Sequence, residues 1–115
     1  MRVRFQADDL DGRVIRGVKR AAPEIDIRTA AEAGLAGLDD LDVLRISAAT
    51  DRILVSQDRS TMPGNFRRYV ASGTSTGVIL LREGISIAAA IDEIVLIWNA
   101  SDRGERTNRL VWIPL

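Results

Sequence analysis

The sequence contains neither cysteine nor histidine. The lack of cysteine excludes disulfides, thiol catalysis and zinc–thiolate sites. The lack of histidine excludes Ser-His-Asp triads and metal sites built on imidazole. Any metal bound by these side chains must be held by oxygen atoms, which favours Mg²⁺ or Mn²⁺.

An excess of one charge and a long apolar run are also lacking. Sixteen basic and sixteen acidic residues cancel, so no overall charge attracts the protein to nucleic acid or to a membrane. No apolar run approaches the ~20 residues of a membrane span, and the charged N-terminus is not typical of a signal peptide. We therefore expect a cytoplasmic protein with no membrane partner. Its 115 residues, 46% of them apolar, predict one domain over 1–115.

Apolar periodicity predicts strands and helices in alternation. This order predicts an α/β fold, a three-layer α/β/α sandwich with a mostly parallel five-stranded sheet and right-handed crossovers. The second strand alternates apolar and polar residues, so we expect it near an edge of the sheet. The predicted strands cover 3–7, 24–29, 52–57, 78–81 and 110–113, and the helices cover about 12–22, 30–36, 41–50, 63–72 and 87–101.

Carboxylates follow two of the predicted strands. Asp8 and Asp9 follow the first, and Asp58 follows the buried run Ile53–Val55. Ligands of open α/β sheets bind beyond the carboxyl ends of strands, so these side chains converge if the two strands are neighbours. Converging carboxylates repel each other, and a divalent cation relieves that repulsion. Such an ion polarises phosphoryl oxygens and lowers the pKa of bound water, which suits phosphodiester hydrolysis.

A further acid, Asp42, opens the third predicted helix and could reach the same crevice from the side. Simpler roles stay open for these residues. Asp9 could only cap a helix, Asp42 could only favour a helix N-terminus, and Asp58 could only form a turn.

Five segments, taken in order, resemble a short bacterial PIN-like family of the PIN-domain nuclease superfamily, which includes many toxins of toxin–antitoxin pairs. No single motif is decisive, but the ordered set covers nearly the whole chain. The segments are Gln6–Leu10, Glu32–Leu35, Asp42–Leu44, Ile53–Arg59 and Gly77–Leu81.

The resemblance implies a PIN-like fold and a Mg²⁺- or Mn²⁺-dependent endoribonuclease. The implied catalytic residues are Asp8, Asp42 and Asp58, with Asp9 as a further metal ligand. Ser60 stands where the family usually has an acid. The resemblance also implies RNA as substrate, with an antitoxin protein and a second copy of the chain as further partners. The residues expected to hold the RNA are Arg59, Ser60, Arg67 and Arg68.

Two other readings remain open. A phosphoacceptor receiver domain has similarly placed acids, but it uses a lysine after the last strand, and Lys19 is the only lysine here. A PIN-like module that binds protein or RNA without cutting it is the second alternative, and metal titration distinguishes it from a nuclease. Ile97 and Trp112 would mark a dimer or antitoxin surface if they were exposed, although we expect both in the core.

Overall fold

The computed structural model describes residues 1–115 and contains five strands and five helices. The elements are β1 (Phe5–Ala7), α1 (Gly12–Ala21), β2 (Ile27–Arg28), α2 (Ala30–Ala33), α3 (Asp40–Ala49), β3 (Ile53–Ser56), α4 (Met62–Val70), β4 (Val78–Leu81), α5 (Ile87–Ala100) and β5 (Leu110–Ile113). One helix follows each of β1, β3 and β4, two helices follow β2, and the predicted fold class is confirmed.

All five strands are parallel, in the order β2-β1-β3-β4-β5. The second strand lies at an edge, as predicted, but it has only two residues. It is short because a capping box starts α2 directly after it. The Thr29 hydroxyl accepts from the Glu32 amide at 3.1 Å, and the Glu32 carboxylate accepts from the Thr29 amide at 2.8 Å.

Alternate residues of each strand face opposite sides of the sheet, so the chain has a core on each side. On one side Phe5, Ile53 and Ile79 pack with α1 and α5. On the other side Leu54 and Leu80 pack with α3 and α4. Of the two residues proposed to mark a docking surface if exposed, Ile97 is buried and Trp112 is partly buried against the second core.

The connection β4–α5–β5 has the opposite hand to the other three. It moves along the sheet towards the β5 edge, as the connections through α3 and α4 do, yet α5 packs beside α1 on the other face. The expectation of right-handed crossovers throughout is therefore wrong for this molecule. With α5 on this face, two long helices cover each side of the sheet. Without α5, α1 alone would not cover the apolar side chains of β3 and β4.

Side-chain caps determine where the helices begin. Asp11, Asp39 and Ser86 each accept a hydrogen bond from a backbone amide in the first turn of α1, α3 and α5, respectively. Because Asp39 is the cap, α3 begins at Asp40. None of the helices combines the length and the apolar character needed to cross a bilayer.

Gly17 lies where α1 touches α5. A Cβ at this position would be 2.1 Å from Cδ1 and 2.9 Å from Cγ1 of Ile91. The two helices therefore pack so closely here that a larger residue at position 17 would force the Ile91 side chain to move.

We expect Gly17→Ala to destabilise the fold by about 1–3 kcal/mol, because overpacking outweighs the ~1 kcal/mol gain in helix propensity. Urea unfolding measures the change. Gly12→Ala in the same helix is the control, since its Cβ would meet only the end of the exposed Arg16 side chain at 3.0 Å. Equal stability of the two variants would contradict the close approach of α1 and α5.

Candidate functional site: an acidic crevice

We use the name acidic crevice for the region beyond the carboxyl ends of β1 and β3 that contains Asp8, Asp40 and Asp58. The chain leaves β1 towards β2 on one side and returns to β3 on the other, which makes this the topological switch point. The Asp8 amide donates to the Val55 carbonyl at 3.1 Å, so the pairing continues one residue beyond β1. Asp8 is thereby held beside the segment that leads to Asp58, as the sequence predicts for neighbouring strands.

Asp58 is fixed by the loop that follows it. One carboxylate oxygen accepts from the amides of Ser60 at 3.2 Å and Thr61 at 3.0 Å, and from the Ser60 hydroxyl at 3.2 Å. The other oxygen accepts from the Thr61 hydroxyl. Burial opposes the ionisation of Asp58, but the bonds from Thr61 and Ser60 outweigh it and lower the pKa of this carboxyl. Asp58 is therefore an anion at neutral pH.

Asp40, in the first turn of α3, is a member of the site that the sequence analysis missed. Its carboxylate accepts from the Thr61 hydroxyl and from the Asn65 amide group, both at 2.8 Å. The Thr61 hydroxyl thus contacts both Asp40 and Asp58. These bonds hold the starts of α3 and α4 together at the crevice.

The surroundings of Asp8 disfavour the ionised form of its carboxyl. Burial raises its pKa, and the charges of Asp9, Asp40 and Asp58 raise it further. The side chain forms none of the salt bridges of this chain. Asp8 is therefore a half-buried acid that is surrounded by negative charge and has no cation beside it.

Asp42 is not part of this group. Its carboxylate pairs with Arg45 at 2.7 Å, and the pair is exposed. Two residues of a helix point roughly 200° apart, so Asp40 and Asp42 cannot share a face. The buried residues Val43 and Leu44 lie three and four positions after Asp40, and this spacing is the sequence signal that identifies the inward acid.

The other predicted site residues lie at the rim or outside the crevice. Asp9 is exposed, with φ of 48°, and its carbonyl accepts from the Gln57 amide at 3.0 Å. Arg59 donates to the Leu81 carbonyl at 3.1 Å, across the end of β4. Arg67 is exposed. Arg68 donates to the Asn65 side chain at 3.4 Å and so reaches the site through it.

The carboxylate oxygens of the crevice are of the type that coordinates a divalent cation, but they are not arranged to coordinate one. No three carboxylates are grouped so that they could hold one ion. Asp40 and Asp58 instead direct oxygen atoms towards Thr61 and Asn65. Oxygen ligands and an excess of negative charge suit Mg²⁺ or Mn²⁺, and binding would require these side chains to turn.

The fold defines a three-layer α/β protein that has acidic residues at its switch point. No protein-family model, curated protein or solved structure matches the chain. The PIN-like resemblance therefore stays a prediction that rests on the sequence segments alone.

We expect Asp8→Asn to raise the melting temperature at pH 7. A raised pKa means that the folded state holds the proton more tightly than the unfolded state, so wild-type stability falls as pH rises above about 3.9. The gain in the variant should therefore disappear near pH 3, where Asp8 is protonated in both states. Thermal unfolding at several pH values measures it. Asp42→Asn, which removes an exposed acid, should show no gain, and a destabilised Asp8→Asn at pH 7 would contradict the electrostatic argument.

Thr61→Val should raise the pKa of Asp58, because the Thr61 hydroxyl is the strongest of the donors that lower it. The variant keeps the size of the side chain and the backbone amide, so only the hydroxyl is lost. Carboxyl chemical shifts in an NMR pH titration measure the change. Ser60→Ala is the control and should produce a smaller rise. An unchanged titration of Asp58 in Thr61→Val would show that the hydroxyl bridge is absent in solution.

Proposed function

We propose that this protein is a divalent-cation-dependent ribonuclease of PIN-like type, with Asp8, Asp40 and Asp58 as its acidic residues. The observations that support the proposal are that Asp8 is half-buried beside the chain that leads to Asp58, and that burial, followed by the charges of Asp9, Asp40 and Asp58, raises its pKa. A perturbed acid in a crevice without a cationic partner is typical of a functional site rather than of structural ion pairing. The resemblance further suggests a toxin that pairs with an antitoxin protein.

Each acid has a distinct part in this proposal. Asp8 gains most from a bound cation, because nothing else offsets its neighbours' charge. Asp40 and Asp58 would complete the ligand set, with Asp9 at the rim. A bound Mg²⁺ or Mn²⁺ would polarise a phosphoryl oxygen and lower the pKa of water. Arg59, which donates to the Leu81 carbonyl at the end of β4, would contact the RNA backbone, since arginine suits phosphate.

A binding module that does not cut RNA is the second candidate. Thr61 and Asn65 already supply hydrogen bonds to Asp40 and Asp58, so the acids are partly satisfied without a metal. Ser60 also contributes no charge. The receiver alternative has the least support, because the single lysine, Lys19, is an exposed residue in the last turn of α1.

The test compares substitutions of Asp40 and Asp42, two acids in the first turn of α3. We expect Asp40→Asn to reduce Mn²⁺-dependent RNA cleavage by at least about tenfold, since even the outer partners of a metal site typically contribute about 10- to 100-fold. Asp8→Asn should reduce it equally. Asp42→Asn is the matched control and should keep wild-type activity, because Asp42 faces Arg45. Cleavage of labelled RNA with Mn²⁺ and with EDTA measures all three.

Two outcomes decide between the candidates. Equal loss of activity in Asp40→Asn and Asp42→Asn would contradict the assignment of the site. A wild-type protein that neither cleaves RNA nor binds Mn²⁺ at millimolar concentration in calorimetry would overturn the nuclease and support the binding module.

A further inference from the structure

A cavity of about 320 Å³ lies at the amino end of the sheet. Arg4 comes directly before β1 and Asp26 directly before β2, and α5 and the loop that follows it complete the walls. Arg4 and Asp8 are four positions apart along an extended segment, which is roughly 13 Å. The cavity is therefore distinct from the acidic crevice at the other end of the strands. The charged and aromatic residues that line it are Arg2, Arg4, Glu24, Asp26, Trp98 and Arg103.

Three arginines lie close to one carboxylate at this cavity. Arg52 donates to the Asp26 carboxylate at 2.7 Å, and this hydrogen bond is the main cause of the lowered pKa of Asp26. The positive charges of Arg52, Arg4 and Arg103 lower that pKa further. One carboxylate cannot neutralise three guanidinium groups, so positive charge is in excess around Asp26.

Two further acids do not remove this excess. Glu24 is exposed and forms none of the salt bridges of this chain. Asp51 contacts Arg103 only at 3.7 Å, and its side chain is 48% exposed. Contacts of this kind between exposed charges contribute little, so an anion with a larger charge can replace Asp51. Even with both acids counted, four arginines, including Arg2, face three carboxylates.

Two of the arginines that line the cavity have unused hydrogen-bond donors. A guanidinium group has five N–H donors. Arg4 donates only to the Thr50 carbonyl, and its Nε is buried without an acceptor. The Arg2 guanidinium lies over the Trp98 ring, 4.0 Å from its centroid, rather than against an acceptor. Unused guanidinium donors suit a phosphate group, which accepts two parallel hydrogen bonds from one arginine.

A second cavity, of about 240 Å³, adjoins the first and shares Arg2, Glu24 and Trp98 with it. Pro23 and Val95 give its wall an apolar part. Small-molecule sites typically combine apolar surface with a few polar groups in a volume of roughly 300–1,000 Å³. The two cavities together therefore suit a ligand with a charged group at one end and an uncharged body at the other.

We propose that the amino end of the sheet binds a small phosphomonoester, with its phosphate held by Arg4 and Arg103 and its uncharged body beside Trp98. A phosphomonoester carries about −1.5 to −2 charges at pH 7, so it matches a group of arginines better than a single carboxylate does. Two adjoining cavities of this size favour a small molecule over an acidic segment of a protein, which would need a longer surface. None of these residues belongs to the acidic crevice, so the site is independent of the proposed ribonuclease.

Calorimetric titration measures the binding of adenosine monophosphate, ribose 5-phosphate and inorganic phosphate at neutral pH with EDTA present. The wild type should bind both monoesters more tightly than inorganic phosphate, because their uncharged part occupies the second cavity. Adenosine, which lacks the phosphate, should show no binding at millimolar concentration.

Arg103→Gln and Arg4→Gln should each weaken binding of ribose 5-phosphate by at least about tenfold, because each removes a charged donor. Glu24→Gln should instead tighten binding by about twofold or more, since it removes a negative charge from the lining. Arg67→Gln is the control, because it loses the same charge from an exposed position on α4, at the other face of the sheet. It should bind as the wild type does. Thermal unfolding without ligand shows whether each variant is folded.

Weaker binding in both arginine variants, with unchanged binding in Arg67→Gln, supports the site whether or not the protein cleaves RNA. Equal affinities of Arg103→Gln, Arg4→Gln and the wild type, or no binding of the three phosphates at millimolar concentration, would overturn it. Tighter binding of hexaglutamate than of either monoester would also overturn it and would indicate an acidic segment of a partner protein. Equal affinity for inorganic phosphate and both monoesters would overturn the role of the second cavity.

Discussion

The pairing of β1 with β3 is the constraint on which the site depends. The two strands are far apart in sequence, yet they lie side by side because the chain passes through β2 at the far edge before it returns. Adjacent strands are about 4.8 Å apart, so residues just beyond their ends share one crevice. The backbone bond from Asp8 to Val55 extends the pairing to the acid itself. A strand inserted between β1 and β3 would separate Asp8 from Asp58 and leave two unrelated surface acids.

This pairing has an electrostatic cost in folding free energy, which arises at Asp8. Asp8 is half-buried among acids, which raises its pKa and opposes folding at neutral pH. The cores on both faces of the sheet offset that cost, because the strands beneath the site are fully buried. Acids that stabilise a fold normally have a basic partner, as Asp26 has in Arg52 at 2.7 Å. The absence of such a partner at Asp8 distinguishes the crevice from the structural ion pairs elsewhere in the chain.

Much of the fold could be predicted because strong local signals agree with it. The predicted bounds of β4 and β5 match the structure because both are short apolar runs between polar segments, and Ser86 caps α5 as expected. The acids at the ends of β1 and β3 could be predicted from strand order. The choice between Asp40 and Asp42 depends on the rotation of α3 about its axis, which the buried residues Val43 and Leu44 indicate, and the prediction overlooked that signal. The sequence also did not predict the face of the sheet on which α5 lies. Helical periodicity identifies the buried side of a helix, but not which face of the sheet that side covers.

The neutral hydrogen-bond donors of the crevice do not compensate all of its carboxylates. Thr61 contacts both Asp40 and Asp58, but a hydroxyl carries one proton and can donate it to one acceptor at a time. Asn65 adds donors for Asp40, and none of these groups reaches Asp8 with a hydrogen bond. Ser60 is neutral and its donors go to Asp58, so it does not offset the charge around Asp8. The unfavourable charge around Asp8 therefore persists, and the proposal of a bound cation rests on it.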